Sequence, residues 1–199
     1  MQQKESTIYA VTARIISKIY GQIELSAGKA LLAKLRRTAG TGGQLPVEVM
    51  AVIIEDFPEE YLGKGKELSY QEAAILAALQ MYAIYQQGKK ECAHRVCEPY
   101  FNMGSSLRSL RIPGESASID RRFNAMITSD TFDEFVTHLR YMIQLLKSKA
   151  EYAVVDFAGL AKSLYQFQLS ADGQNEVRLK WSREFYKMVN NSKGDKKDE

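Results

Sequence analysis

The side chains best equipped for chemistry in this chain are arginines, and they crowd two stretches. Residues 104–147 read GSSLRSLRIPGESASIDRRFNAMITSDTFDEFVTHLRYMIQLLK and carry Arg108, Arg111, Arg121, Arg122 and Arg140. Residues 28–40 read GKALLAKLRRTAG and carry Lys29, Lys34, Arg36 and Arg37, with no acidic residue between Ser26 and Leu45. A planar guanidinium fork matches the oxygens of a phosphate, so the chemistry on offer is anion binding. A solvated helix face is the ordinary fate of such residues. Two details favour more: arginine outnumbers lysine in the clusters, and the cations of residues 28–40 have no acids interleaved with them as on an ordinary salt-bridged surface. Contacts of this type would hold a nucleic-acid backbone without reading its sequence.

Reactive groups are scarce elsewhere. His94 and His138 are the only histidines, and His138 falls on the polar side of a helical stretch, where a surface role suffices. Cys92, His94 and Cys97 could supply three zinc ligands, but structural zinc wants four with paired spacings, and no fourth candidate lies nearby. Gly40-Thr41-Gly42-Gly43 lacks the lysine and the strand–loop–helix setting of a nucleotide loop and reads as a connector. Glu59-Glu60 and Asp133-Glu134 sit in loops or first helical turns, where solvation and the helix dipole account for them. Trp181 and exposed tyrosines could stack on bases, although an aromatic at helical spacing more often packs a core. No catalytic residue, metal site or cofactor is expected, and the chain does not read as an enzyme.

The elements that must carry these arginines are helical almost throughout. Ile8, Val11, Ile15, Ile16 and Ile19 form one stripe ending at Gly21. On a wheel of about 100° per residue, Leu31, Leu32, Leu35 and Ala39 fall in one arc and Lys29, Lys34, Arg36 and Arg37 in the opposite one. Pro46 suits the first turn of a third helix, which should end before Pro58, and PEEYLGKGKEL follows as an exposed loop. Ser69-x-x-Glu72 has the spacing of a capping box. Behind it, AAILAALQMYAIY is apolar on nearly every face and belongs at the centre of a bundle, with Gly88 as its stop. Helix is expected again over 100–111, and in a short segment opening with Arg121 and Arg122. Thr131-x-x-Glu134 marks a second capping box. Phe132, Phe135, Val136, Leu139, Ile143 and Leu146 then repeat at helical spacing. Two further helices are expected around DFAGLAKSLYQFQL and NEVRLKWSREFYKMV.

The fold class is therefore all-α: a compact bundle of about seven to nine helices with no strand and no internal repeat. Residues 1–190 read as a single domain, with a change of sub-bundle near 112–117 at Pro113-Gly114, and 191–199 as a disordered tail. A chain of 199 residues can bury a real core. Its net charge is only +3, so affinity for an anion must come from local clustering. No run approaches the roughly 18 apolar residues of a membrane span. The first residues have no signal-peptide pattern, and two cysteines are too few for a disulfide scaffold. A cytoplasmic setting fits these features.

The order GKALLAKLRRTAG, EAAILAALQMYAIYQ, MGSSLRSLR, RRFNAMITSD, HLRYMIQLLK and VRLKWSREFYKM resembles the CasB family, over about residues 28–188. That family is the small subunit of the type I-E Cascade complex in CRISPR immunity. The resemblance implies a non-enzymatic helical subunit that self-associates head to tail. Its expected partners are the other Cascade proteins, the guide RNA, and the target and displaced DNA strands of the R-loop. By matching position it implies Arg36, Arg37, Arg121, Arg122, Arg140 and Arg183 as contacts, with Arg108 and Lys34 as further carry-overs. One departure stands out: where relatives often carry a basic residue after the glycine matching Gly104, this chain has Ser105. A helical adaptor that meets only protein is the competing reading.

Overall fold

A computed structural model describes residues 7–39, 46–98, 100–112 and 114–187; the Gly40–Gly43 connector and the 191–199 tail lie outside the described residues. Among the described residues there are nine α-helices and no strand. They are α1 (Ile8–Gly21), α2 (Ser26–Thr38), α3 (Val47–Ile54), α4 (Tyr70–Gln86), α5 (Met103–Arg108), α6 (Ala117–Ile127), α7 (Phe132–Lys149), α8 (Phe157–Leu169) and α9 (Ala171–Tyr186). Among the described residues, the one β-type contact is an isolated bridge between His94 and Val155.

Helix α4 is the axis of the fold, as its sequence requires. Ser69 and Glu72 close the expected capping box at its start. Every residue from Ala74 to Gln86 is buried, and α1, α2, α7 and α8 pack around it. Its alanines let neighbouring helices approach, and each large aliphatic side chain buried there contributes about 1.5–3 kcal/mol. The buried amides on α4 are paired. Gln80 donates to the Thr38 carbonyl at 3.1 Å. Gln86 donates to the Lys89 and Glu91 carbonyls at 3.0 and 2.9 Å and accepts from the Ala93 amide at 2.7 Å. That clamp folds the following loop back once Gly88, at φ +86°, has turned the chain.

One buried cluster runs from Ile8 to Phe185. Its C-terminal part is aromatic: Phe135 lies 4.3 Å from Phe167 and 5.3 Å from Trp181 by ring centroids. Phe123 on α6 stacks on Phe185 of α9 at 3.8 Å, with the rings 4° from parallel.

Two local expectations change in detail. Helix does not fill 100–111 but is confined to α5, because Asn102 caps it. The Asn102 side chain accepts from the Gly104 amide at 2.8 Å, and Ser105 Oγ accepts from the Asn102 amide at 3.4 Å. The capping box at Thr131 is half made: Thr131 accepts from the Glu134 amide at 3.2 Å, but Glu134 reaches the Asp130 amide at 3.3 Å instead of that of Thr131. In the 58–68 loop, a short 3-10 turn at Glu59–Tyr61 buries Tyr61, which the expectation of a fully exposed loop did not include.

Candidate nucleic-acid interface

Two basic stretches distant in sequence meet at a groove between α2, α4 and α7. The last turn of α2 presents Arg36 and Arg37. Arg140, Gln144 and Lys147 recur at i, i+4 and i+7, one face of α7, and all three line the same groove. Gln87, the C-terminal cap of α4, completes the wall, and Ala33 and Ile84 contribute apolar floor. The space amounts to about 470 Å³. Among the described residues, none of the four cations lies within ion-pair distance of a carboxylate.

What allows four cations to gather without an acid is visible in the helix ends. Arg36, Arg37 and Lys147 occupy last turns, and Gln87 caps a third C-terminus. Each such end carries roughly half a negative charge on its unpaired carbonyls. Burial holds the Arg36 guanidinium below its usual pKa. The Lys147 ammonium also lies below the usual lysine value, through burial first and then the charges of Arg36 and Lys89. Lys147 donates to Gln87 Oε1 at 2.9 Å. The Arg140 Nε is buried without a hydrogen-bond partner.

The remaining predicted arginines divide into two groups. Arg121 and Arg122 are both exposed on α6, whose Ile119, Phe123, Met126 and Ile127 turn inward. Arg183 is exposed on α9 between buried Trp181 and Phe185. Among the described residues these three have no carboxylate partner. Arg108 is engaged inside the fold: it donates to the Glu184 carbonyl at 3.3 Å and lies 3.7 Å from the Glu184 carboxylate. Ser105 is buried beside it and reaches the same carboxylate at 3.4 Å. Arg111 makes a two-pronged pair with Asp120 at 2.8 and 3.2 Å while lying over the Phe185 and Tyr186 rings. Lys34 lies on α2 but does not line the groove.

Lys147, Gln87 and Gln144 line the groove beside the expected arginines without being among the residues expected from sequence. The 140–144–147 spacing was the available signal for two of them. Trp181, 1% exposed, belongs to the core and offers no stacking face. Cys92, His94 and Cys97 do not converge as ligands. Cys92 Sγ meets the Tyr82 hydroxyl at 3.8 Å, the Cys97 thiol faces the Arg95 carbonyl at 3.4 Å, and His94 Nδ1 accepts from the Phe157 amide at 3.2 Å. His138 lies 3.8 Å from Glu134, one turn back on α7. No helix among the described residues is long and apolar enough to cross a membrane.

Fold and surface together define an all-α protein that presents a concave, acid-free cationic groove on a helical core. The family model for the CRISPR-associated protein Cse2 matches residues 31–186, and the chain belongs to that family. It is similar to the crystal structure of CasB from Thermobifida fusca, at 25% identity and a TM-score of 0.71, covering 90% of this chain and 98% of that one. The fold is also that of CasB from Thermus thermophilus, at 22% identity and a TM-score of 0.62, covering 88% and 97%. The likeness to CasB read from the ordered basic and apolar stretches agrees with these matches. Comparison with curated proteins gives no match.

Proposed function

We propose that this chain is a non-catalytic small subunit of a type I-E Cascade complex, holding nucleic-acid backbone through its arginine surface and so stabilising the opened strands of the R-loop. The observation that carries the reading is the meeting of Arg36, Arg37 and Arg140 at one groove without a carboxylate. Exposed Arg121, Arg122 and Arg183 extend the unpaired positive charge beyond it. Exchanging a DNA duplex for an RNA–DNA heteroduplex is nearly balanced in free energy, so a few backbone contacts decide whether the opened state persists. Each neutralised phosphate releases counterions and makes binding salt-dependent. Its partners are then the other Cascade subunits, the guide RNA, both DNA strands and a second copy of itself. Arg108 contributes through the fold, since Glu184 already engages it.

The test is add-back. Guide-RNA complexes are assembled without this chain and supplemented with wild type or with an Arg36→Glu, Arg37→Glu, Arg121→Glu, Arg122→Glu form. Retention of target DNA by wild type only, with both forms incorporated equally, supports the reading. Loss of incorporation by the charge-reversed form would favour the protein adaptor.

A further inference from the structure

The groove has features that a flat basic track does not need. It is concave and partly apolar at its floor. Its Arg140 Nε is desolvated and still without an acceptor. A buried donor of that kind is costly unless something accepts from it. Lys147 spends one ammonium proton on Gln87 Oε1 and has two more to give. With its oxygen so occupied, Gln87 keeps its amide NH₂ as a neutral donor at the wall, and Gln144 offers another. Three helix C-termini of about half a charge each offset only part of four full positive charges. A compact anion would satisfy these donors together.

We propose that the groove is a discrete seat for a phosphate group, with Lys147 as a fourth ligand beside Arg36, Arg37 and Arg140. The proposal deepens the backbone-binding reading and takes its site from it. The phosphate can come from a strand or from a free polyphosphate, and the two sources are separable. The groups facing Lys147 are Arg36 and Arg37 from α2, Gln87 at the end of α4, Lys89 just beyond it, and Arg140 and Gln144 from its own helix. All are positive or neutral, so the ammonium is held under repulsion that an anion relieves. Where the free ammonium is partly deprotonated, binding therefore takes up a proton. The sign follows: affinity is complete below the depressed pKa of free Lys147 and falls as the pH rises through it.

Tripolyphosphate and a thymidine hexanucleotide would be titrated into the whole chain at pH 7.5 and at pH 10.5, the unperturbed lysine value, using wild type, Lys147→Arg and Lys147→Gln. Wild type should bind tripolyphosphate saturably at one site, and Lys147→Gln should weaken it about 10-fold, the value of one charge-assisted hydrogen bond. Between the two pH values wild type should lose more affinity than Lys147→Arg, whose guanidinium does not titrate; ionisation of the probe itself is common to all three proteins. Competition by the hexanucleotide assigns the seat to strand phosphate. Tripolyphosphate binding that depends on Lys147 but is untouched by the hexanucleotide keeps the seat and removes the strand from it. No saturable binding, equal affinity of Lys147→Gln, or an Arg variant that follows wild type with pH would overturn the proposal. Hexanucleotide binding that ignores Lys147 would leave the backbone reading standing and the seat refuted.

Discussion

Gly104 approaches Trp181 so closely that a Cβ built on it would lie 2.0 Å from the Trp181 carbonyl oxygen. Real Cβ atoms do not come so near backbone, so α5 and α9 can cross at this depth only over a glycine. The crossing brings Ser105 and Arg108 to Glu184. It also fixes the helix from which Arg183 points outward.

Gly104→Ala should therefore lose about 1–3 kcal/mol or more, the cost of overpacking against backbone that has nowhere to move. Gly21, which has no atom within 4 Å of its notional Cβ, is the internal control. Gly21→Ala should be neutral or gain up to about 1 kcal/mol from helix propensity. Urea unfolding midpoints compare the two directly.

Arginines within one short stretch should separate by mutation into structural and surface members. Arg111→Gln breaks the two-pronged pair with Asp120 and the packing on Phe185 and Tyr186, and should cost about 1.5–3 kcal/mol. Arg121→Glu with Arg122→Glu, both exposed, should stay within about 0.5 kcal/mol of wild type. Equal thermal shifts for the two variants would contradict this division.

Alkaline unfolding should report on Tyr85. Its hydroxyl donates to the Ala153 carbonyl at 2.8 Å, and burial, followed by the Glu151 charge, pushes its pKa up to about 12. A group raised in the folded state favours unfolding when it ionises. Its contribution is complete below about pH 10, the unfolded tyrosine value, and is lost as the pH climbs toward about 12. Tyr85→Phe should lose about 1 kcal/mol at neutral pH and show a shallower alkaline arm. Burial raises Tyr82 as well, so the arm should not vanish. Tyrosinate absorbance followed alongside circular dichroism checks it.

His94 should govern the mildly acidic side. Its Nδ1 accepts from the Phe157 amide at 3.2 Å, and its Nε2 is buried with no partner. Burial lowers its pKa more than nearby Asp156 raises it. Protonation would set an N–H against the Phe157 N–H. Stability should then be complete above the unfolded histidine value near pH 6.5 and decline as the pH falls below it. His94→Gln should flatten this decline between about pH 7 and 5, read from denaturant midpoints.

The parts of the fold legible in the sequence were those with strong local signals. The nearly continuous apolar run of α4 placed it at the centre, and the Ser69–Glu72 box marked its start. Arg121 and Arg122, adjacent near the start of a short helix, are both exposed. The site was less legible because its partners come from afar. Arg36 and Arg140 share a groove only after α2 and α7 pack beside α4. Arg108 looked free of acids, but Glu184 arrives from α9. The capping role of Asn102 competed with a longer apolar pattern and shortened α5. Lys147 stood one turn beyond Gln144, in a last turn where lysine is ordinary.

The most direct test of the account is the dissociation rate of opened target DNA from guide-RNA complexes carrying either wild type or an Arg36→Glu, Arg37→Glu, Arg140→Glu form. The account predicts release at least about 10-fold faster for the variant, with a shallower dependence on salt because fewer phosphates are neutralised. An unchanged rate and salt slope, with the variant fully incorporated and folded, would contradict it.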